Sequence, residues 1–117
     1  MLNSKIPLGI GTDIVDINRF KNKSLKNNSS FYKKIFSNSE IKYCQKFRSP
    51  YEHFAGKFAI KEATIKAIDK KIQLLQIKTY HKESKPKVSI VNEKIDLKVS
   101  VSHDGDYAIA IVFSKIN

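Results

Sequence analysis

One stretch constrains this chain more than any other: Phe54–Ile68, which reads FAGKFAIKEATIKAI. It holds no proline, and its strong helix formers fix it as a helix. Ser49-Pro50-Tyr51-Glu52 has the form of a capping box ahead of it, with Pro50 at the first helical position, where a missing N–H does no harm. The helix is expected to run to Ile68 or Asp69. Ala59, Ala63 and Ala67 form a stripe of small side chains that permits close packing against a sheet or another helix. A second face, positions 55, 58, 62, 65 and 69, reads Ala, Phe, Glu, Ile, Asp. Glu62 therefore lies between Phe58 and Ile65, where an unpaired charge is penalised. Two readings follow. Either Glu62 pairs with Lys66 in the favourable i, i+4 order, or it faces a cation or a metal.

The rest of the chain supplies strands and shorter helices. Residues 4–14 alternate as a strand, with Ile6, Leu8, Ile10, Thr12 and Ile14 on one face and Gly9, Gly11 and Asp13 on the other. Asp13 thus sits beside two residues without side chains, which predicts open space around its carboxylate. Asp16 is placed to cap a short helix through about residue 27, and KNKSLKNNSS (21–30) reads as a helix end and a turn. Ser37-Asn38-Ser39-Glu40 is a second capping box, opening a helix to about Arg48. Strand-like segments follow at 73–81, 86–91, 95–103 and 106–113, and Asp104-Gly105 is a hairpin signal between the last two. The expected fold is α+β: a leading strand, three helices, then an antiparallel meander. At 117 residues it forms one domain, 1–117.

Charge and cysteine content narrow the function classes. The net charge is +11, and nine basic residues against Glu40 alone give residues 19–48 a net +8. Such a field attracts a polyanion or an acidic protein. No apolar run is long enough to cross a bilayer. The opening segment, MLNSKIPLGIGTDIVDI, matches neither a signal nor a transit peptide. Cys44 is the only cysteine, which suits a reducing cytoplasm. Its helical spacing from Ile41 and Phe47 marks it as a buried, unreactive thiol.

Asp13, the pair Glu62/Lys66, and His103 are the candidates for chemistry. Each has an ordinary structural reading as well: a turn aspartate, a surface ion pair, and a half-buried histidine at a hairpin end. Together, two carboxylates, a lysine and a phosphate-attracting charge suit a hard cation such as magnesium, which takes one or two carboxylates plus waters and substrate phosphates. Spacing leaves open whether these residues meet.

Three blocks add a resemblance. GIGTDIVDINRF (9–20), FAGKFAIKEATIKA (54–67) and SVSHDGDYAIAIV (100–112) are similar, in order and near spacing, to the holo-acyl-carrier-protein synthase family of short bacterial 4′-phosphopantetheinyl transferases. The resemblance implies transfer of the phosphopantetheine arm of coenzyme A to a serine of apo acyl carrier protein. Adenosine 3′,5′-bisphosphate is released, and the reaction serves fatty acid biosynthesis. It implies that Asp13 and Glu62 bind Mg2+, that Lys66 sits near the phosphates, and that His103 helps line the coenzyme pocket. Lys85 and Pro86 fall on the family's Gly-Lys-Pro turn and are assigned to the same pocket. In this mechanism Asp13, directly or through a water, takes the serine proton, and Lys66 offsets charge on the departing phosphate. Family members form trimers with active sites at subunit boundaries. Arg19, six positions after Asp13, is assigned to docking of the acidic carrier protein.

The chain departs from the family in one region. The loop AIDKKIQLLQI carries no glycine, and the turn is Ser84-Lys85-Pro86. Lys70 and Lys71 are the point charges available in place of glycine-loop amides. Two other readings compete for the basic charge. A nucleic-acid-binding module needs aromatics interleaved with basic residues on an exposed face. A membrane-surface helix needs a strong apolar face opposite the lysines, which is lacking. Neither gives Asp13 and Glu62 a task.

Overall fold

The computed structural model describes residues 8–116. Residues 4–7 of the expected first strand, and the start of the opening segment, lie outside the described residues. Strand β1 (Leu8–Asp16) leads into four helices: α1 (Asn18–Lys21), α2 (Ser29–Lys33), α3 (Asn38–Gln45) and α4 (Pro50–Ile68). A 3-10 turn at Leu74–Gln76 precedes β2 (Ile77–Lys82), β3 (Lys85–Ile90), β4 (Ile95–Asp104) and β5 (Tyr107–Ile116).

The α+β expectation holds, and several details differ. The helix expected from Asp16 to 27 stops at Lys21, and a separate helix forms at Ser29–Lys33. The reason is local competition for backbone groups. Ser24 Oγ accepts the Asn27 amide (3.3 Å), and the Tyr32 hydroxyl binds the carbonyls of Phe20 (3.1 Å) and Lys23 (2.6 Å). Asp16 ends β1 and is not the cap, which is Ile17 with no side-chain bond; its carboxylate instead accepts the Asn18 amide at 3.0 Å in the turn before the helix. At α4, Pro50 takes the first turn, but Ser49 makes no side-chain cap, so the second capping box does not form. The first does, with Ser37 and Glu40 each bonded to the other's backbone amide.

The meander is split. β1 and β4 both pair with β5 in a three-stranded antiparallel sheet of order β1-β5-β4, while β2 and β3 form a separate hairpin. The β4–β5 turn is Gly105-Asp106 rather than Asp104-Gly105, because Asp104 pairs with Tyr107. Gly105 supplies the positive φ (56°) that the first turn position needs. In the β2–β3 turn, Glu83 and Ser84 both hold positive φ (53° and 66°) without glycine.

Helix α4 lies across the three-stranded sheet with residues 54–61 buried without a break. Phe20, Tyr32 and Phe36 pack beside it in a cluster with its own Phe54, with ring centroids 4.7–6.2 Å apart. Cys44 is fully buried, and burial pushes its thiol up to about 12, so it is inert as expected.

The core also holds a charge pair that the sequence reading missed. Lys61 Nζ meets Glu40 Oε1 at 2.8 Å, with both side chains almost wholly buried. Lys61 also donates to the carbonyls of Ile35 (2.8 Å) and Leu74 (3.0 Å). The other Glu40 oxygen accepts the Thr79 amide (2.8 Å) and hydroxyl (2.7 Å). This node joins α3, α4 and β2. Burial works against the Glu40 carboxylate, but Lys61, Thr79 and the Ser37 amide outweigh it and hold the carboxyl below its ordinary range.

Glu40→Gln should therefore destabilise the fold by about 3 kcal/mol at neutral pH, because it leaves a buried ammonium uncompensated. A group with a depressed folded pKa gives stability that is complete above the unfolded value and is lost as pH falls through the folded one. Urea unfolding of the wild type should thus weaken below about pH 4.5, and the Gln variant should show a shallower acid limb. Parallel acid limbs would show that the pair does not govern acid stability.

Candidate active site

Glycine and alanine build the site by letting two backbones touch. A Cβ on Gly9 would overlap the Ala67 carbonyl oxygen, and one on Gly11 would overlap that of Ala63. The space predicted beside Asp13 is therefore filled by helix α4, and this corrects the expectation of an open carboxylate. Ser114 Oγ of β5 donates to the Ala67 carbonyl at 3.0 Å across the same contact. The close approach brings the last turns of α4 alongside the edge strand β1.

That contact unites two of the predicted blocks. Lys66 Nζ lies 3.2 Å from Asp13 Oδ1 and 2.9 Å from the Thr12 carbonyl oxygen. The Asp13 side chain is 17% exposed and that of Lys66 54%. Glu62 is half-buried, one helical turn before Lys66. The ordinary Glu62–Lys66 ion pair does not form, since Lys66 turns to Asp13 instead. Among the described residues, no basic nitrogen lies within 4.0 Å of the Glu62 carboxylate. Arg19 reaches the same end of the molecule, with its guanidinium carbon 5.0 Å above the Phe58 ring.

His103 belongs to another place. Its Nε2 donates to the Glu52 carbonyl at 3.1 Å, and it lies against Gly56, where an added Cβ would come within 3.2 Å of it. Gly56 and Lys66 are about 15 Å apart along the α4 axis, at 1.5 Å per residue. Within one protomer the structure thus brings Asp13, Glu62 and Lys66 together and keeps His103 apart. His103 shares a pocket of about 210 Å³ with Pro86, Tyr43, His53, His81 and Lys57. Lys85, next to Pro86, faces a neighbouring groove with Lys87 and Lys98.

Lys57 is the functional candidate that sequence reasoning missed. Its ammonium is buried, donates to Thr79 Oγ1 at 3.1 Å, and lies 4.7 Å from the Tyr43 ring centroid. No carboxylate lies within 4.0 Å of it among the described residues. Burial lowers its pKa, with partial compensation from Cys44 and Glu40. Burial, together with Lys57, also lowers the pKa of His53 and His81 in the same pocket. The available signal was a lysine inside a helical run with no exposed position.

Asp69 takes the left-handed conformation (φ 51°) that ends α4. Lys70 is bound to Glu93 at 3.0 Å, so it is not a free point charge, and Lys71 is exposed. The aromatics of the basic segment, Phe47 excepted, are buried or half-buried, so the exposed interleaving that nucleic-acid binding needs is missing from the described residues.

Comparison with known proteins agrees with the resemblance. Residues 9–112 match the model of the 4′-phosphopantetheinyl transferase superfamily. The chain is similar to a holo-[acyl-carrier-protein] synthase of Ehrlichia ruminantium (strain Gardel), 41% identical over 115 residues, 90% of this chain and 94% of that one. It is similar to the Clostridium tetani (strain Massachusetts / E88) holo-[acyl-carrier-protein] synthase, 37% identical over 116 residues, 88% and 91% of the two chains. Its fold resembles the Helicobacter pylori holo-[acyl-carrier-protein] synthase in complex with coenzyme A, with TM-score 0.77, 34% identity, and coverage of 88% and 96%.

The backbone contact predicts a strong response to a single methyl group. Gly11→Ala should destabilise the protein by about 3 kcal/mol, at the upper end for overpacking, because a carbonyl on a helix cannot move aside as a side chain can. Thermal unfolding measures this. A loss below about 1 kcal/mol would mean that helix and strand are not in contact there.

Proposed function

The chain belongs to the 4′-phosphopantetheinyl transferase superfamily, and we propose that the Asp13–Glu62–Lys66 cleft is where it transfers 4′-phosphopantetheine from coenzyme A to a serine of apo acyl carrier protein. The observation that carries this reading is the Lys66–Asp13 contact, with Glu62 one turn away and, among the described residues, no basic partner of its own.

The residues present fit a magnesium ion. Asp13 already holds one cation, Lys66, at 3.2 Å, and Glu62 is a half-buried carboxylate without one. Both offer oxygen only, the donor that Mg2+ prefers. No group of three or more His, Cys, Asp or Glu that could hold a metal occurs among the described residues. The protein would thus supply two carboxylates, leaving the remaining positions to water and substrate phosphates. Asp13 and Glu62 would hold the ion, and its chemistry there is to neutralise phosphate charge.

The chain's own residues account for the transfer. The carrier serine oxygen forms a bond to phosphorus, and the phosphoanhydride bond breaks. Adenosine 3′,5′-bisphosphate leaves with the bonding electrons, and the serine proton passes to the Asp13 carboxylate. The Lys66 ammonium, half-exposed at the cleft, offsets charge on the phosphates.

We assign the pocket of His103, Pro86 and Lys57 to an anionic part of coenzyme A, with Lys85 at its border. A buried ammonium without a carboxylate partner supports this. The distance along α4 favours a cleft completed by a second protomer, hence a homotrimer with active sites at its subunit interfaces. The outer face of β1 and β5 supports assembly: Leu8 (68%), Ile10 (58%), Ile14 (60%) and Phe113 (52%) are exposed. Arg19 and the basic segment around it suit docking of an acidic carrier protein. No helix among the described residues is long and apolar enough to cross a membrane, and the single buried cysteine suits the cytoplasm.

Mass spectrometry of apo acyl carrier protein incubated with coenzyme A should show conversion to the holo form only with a divalent cation. Asp13→Ala and Glu62→Ala should each lower turnover at least a thousandfold while unfolding at the wild-type temperature. Full activity in excess chelator, or in either variant, would remove the metal assignment.

Mixing inactive Glu62→Ala chains with inactive His103→Ala chains should restore activity, because some interfaces then combine two intact halves. Failure to recover activity in verified mixed trimers would count against a site shared between subunits.

A further inference from the structure

We propose that Phe58 is a positioning residue whose ring face holds the Arg19 guanidinium at the mouth of the cleft and away from Glu62. The proposal rests on the reading of Arg19 as a docking cation and Glu62 as a metal carboxylate. Phe58 is buried and takes the buried Phe20 ring edge-on at a centroid distance of 5.7 Å. Phe20 thereby fixes α1 against α4. Its neighbour Arg19 is exposed, and its guanidinium carbon stands 5.0 Å from the Phe58 ring centroid.

Glu62 lies four residues after Phe58, so their Cβ atoms are about 6 Å apart on one helix face. A flexible arginine parked over one residue can reach the other. A guanidinium–carboxylate pair is the stronger contact once made, and two parallel hydrogen bonds hold it. Yet among the described residues no basic nitrogen lies within 4.0 Å of Glu62, and Arg19 rests on the ring. Lys66, the other nearby cation, is taken by Asp13 and the Thr12 carbonyl. Phe58 thus does two things with one ring. It presents a charge outward for the carrier protein, and it keeps that charge from neutralising a metal ligand.

Leucine at position 58 keeps an apolar contact for Phe20 but has no ring face, whereas tyrosine keeps the face. Mn2+ alone, titrated into the protein and followed by electron paramagnetic resonance of the free ion, reads the site without turnover. Phe58→Leu should weaken Mn2+ binding about two- to fivefold, the scale of a partly exposed cation–π contact. Phe58→Tyr should keep the wild-type affinity. Phe58→Leu combined with Arg19→Ala should recover that affinity, since the competing guanidinium is gone. In steady-state assays at saturating Mg2+, Phe58→Leu should raise KM for the carrier protein by a similar factor and leave KM for coenzyme A unchanged.

Wild-type Mn2+ affinity in Phe58→Leu overturns the proposal. So does weak Mn2+ binding that persists in the double variant, since the damage would then come from helix shape. If Arg19→Ala leaves the carrier KM unchanged, the docking reading fails, and the Mn2+ titration still decides the role of Phe58. If the wild type binds no Mn2+, the metal reading fails. The carrier KM then decides: a rise in Phe58→Leu that vanishes in the Arg19→Ala background supports the ring, and an additive rise overturns it.

Discussion

Helix α4 rests on β1 with no side chain between them at Gly9 and Gly11, and the arrangement of the site follows from that contact. Two glycines on one strand face, two residues apart, meet Ala67 and Ala63, four residues apart on the helix. The two repeats match: two strand residues span about 6.6 Å and four helical residues about 6.0 Å. The contact therefore fixes the helix in register with the strand and carries Lys66 to the Thr12 carbonyl and the Asp13 carboxylate. At the far end Gly56 lies against His103 and Val101 of β4. The helix is thus held at both ends of its crossing, with Lys66 beside one hold and His103 beside the other.

Three lysines on α4 show how environment decides the role of one residue type. Lys61 is fully buried and paired with Glu40, so its charge is spent on joining α3, α4 and β2. Lys57 is buried against Thr79 and Tyr43 in a pocket wall, with no carboxylate within 4.0 Å among the described residues. Lys66 is half-exposed and bound to a strand-edge aspartate, Asp13. The first is a matter of stability, since removing one partner of a buried pair strands the other. The third contributes little to stability, as exposed pairs generally do, and much to the electrostatics of the cleft.

Legibility in the sequence tracked how local the cause was. The capping box at Ser37 and Glu40, the start of α4 at Pro50, and the strand alternation of β1 all arise within a few residues, and all were readable. The helix end after Lys21 was not, because Tyr32, distant in sequence, captures the carbonyls of Phe20 and Lys23. Asp13 was readable as a candidate, yet its surroundings were misread: glycine signalled empty space when it marked a helix backbone pressed close. Glu40 was read only as a capping residue. Its burial with Lys61 and Thr79 depends on three elements converging, and no spacing rule reports that. The glycine-free loop and turn were readable as departures, but not their outcome. Asp69, Glu83 and Ser84 adopt the left-handed conformation anyway, at a penalty on the order of 1 kcal/mol each.

The size of the domain bears on its assembly. A three-stranded sheet has two faces, and a chain of 117 residues has one long helix with which to cover them. That helix is committed to the inner face, where Val15, Ala108, Ala110 and Val112 are buried. The outer face pairs Ile10 with Phe113 and Ile14 with Ile109 across the strands, and all four side chains are exposed. A patch of this kind is stable in water when another surface covers it. The proposed trimer supplies that cover from copies of the same chain, and it does so beside the edge strand that carries Asp13. Burying the outer face and bringing a second protomer's His103 pocket toward the first protomer's carboxylates are then one requirement met by one interface. A short chain that left its best apolar face bare would gain a core and a completed cleft in the same step.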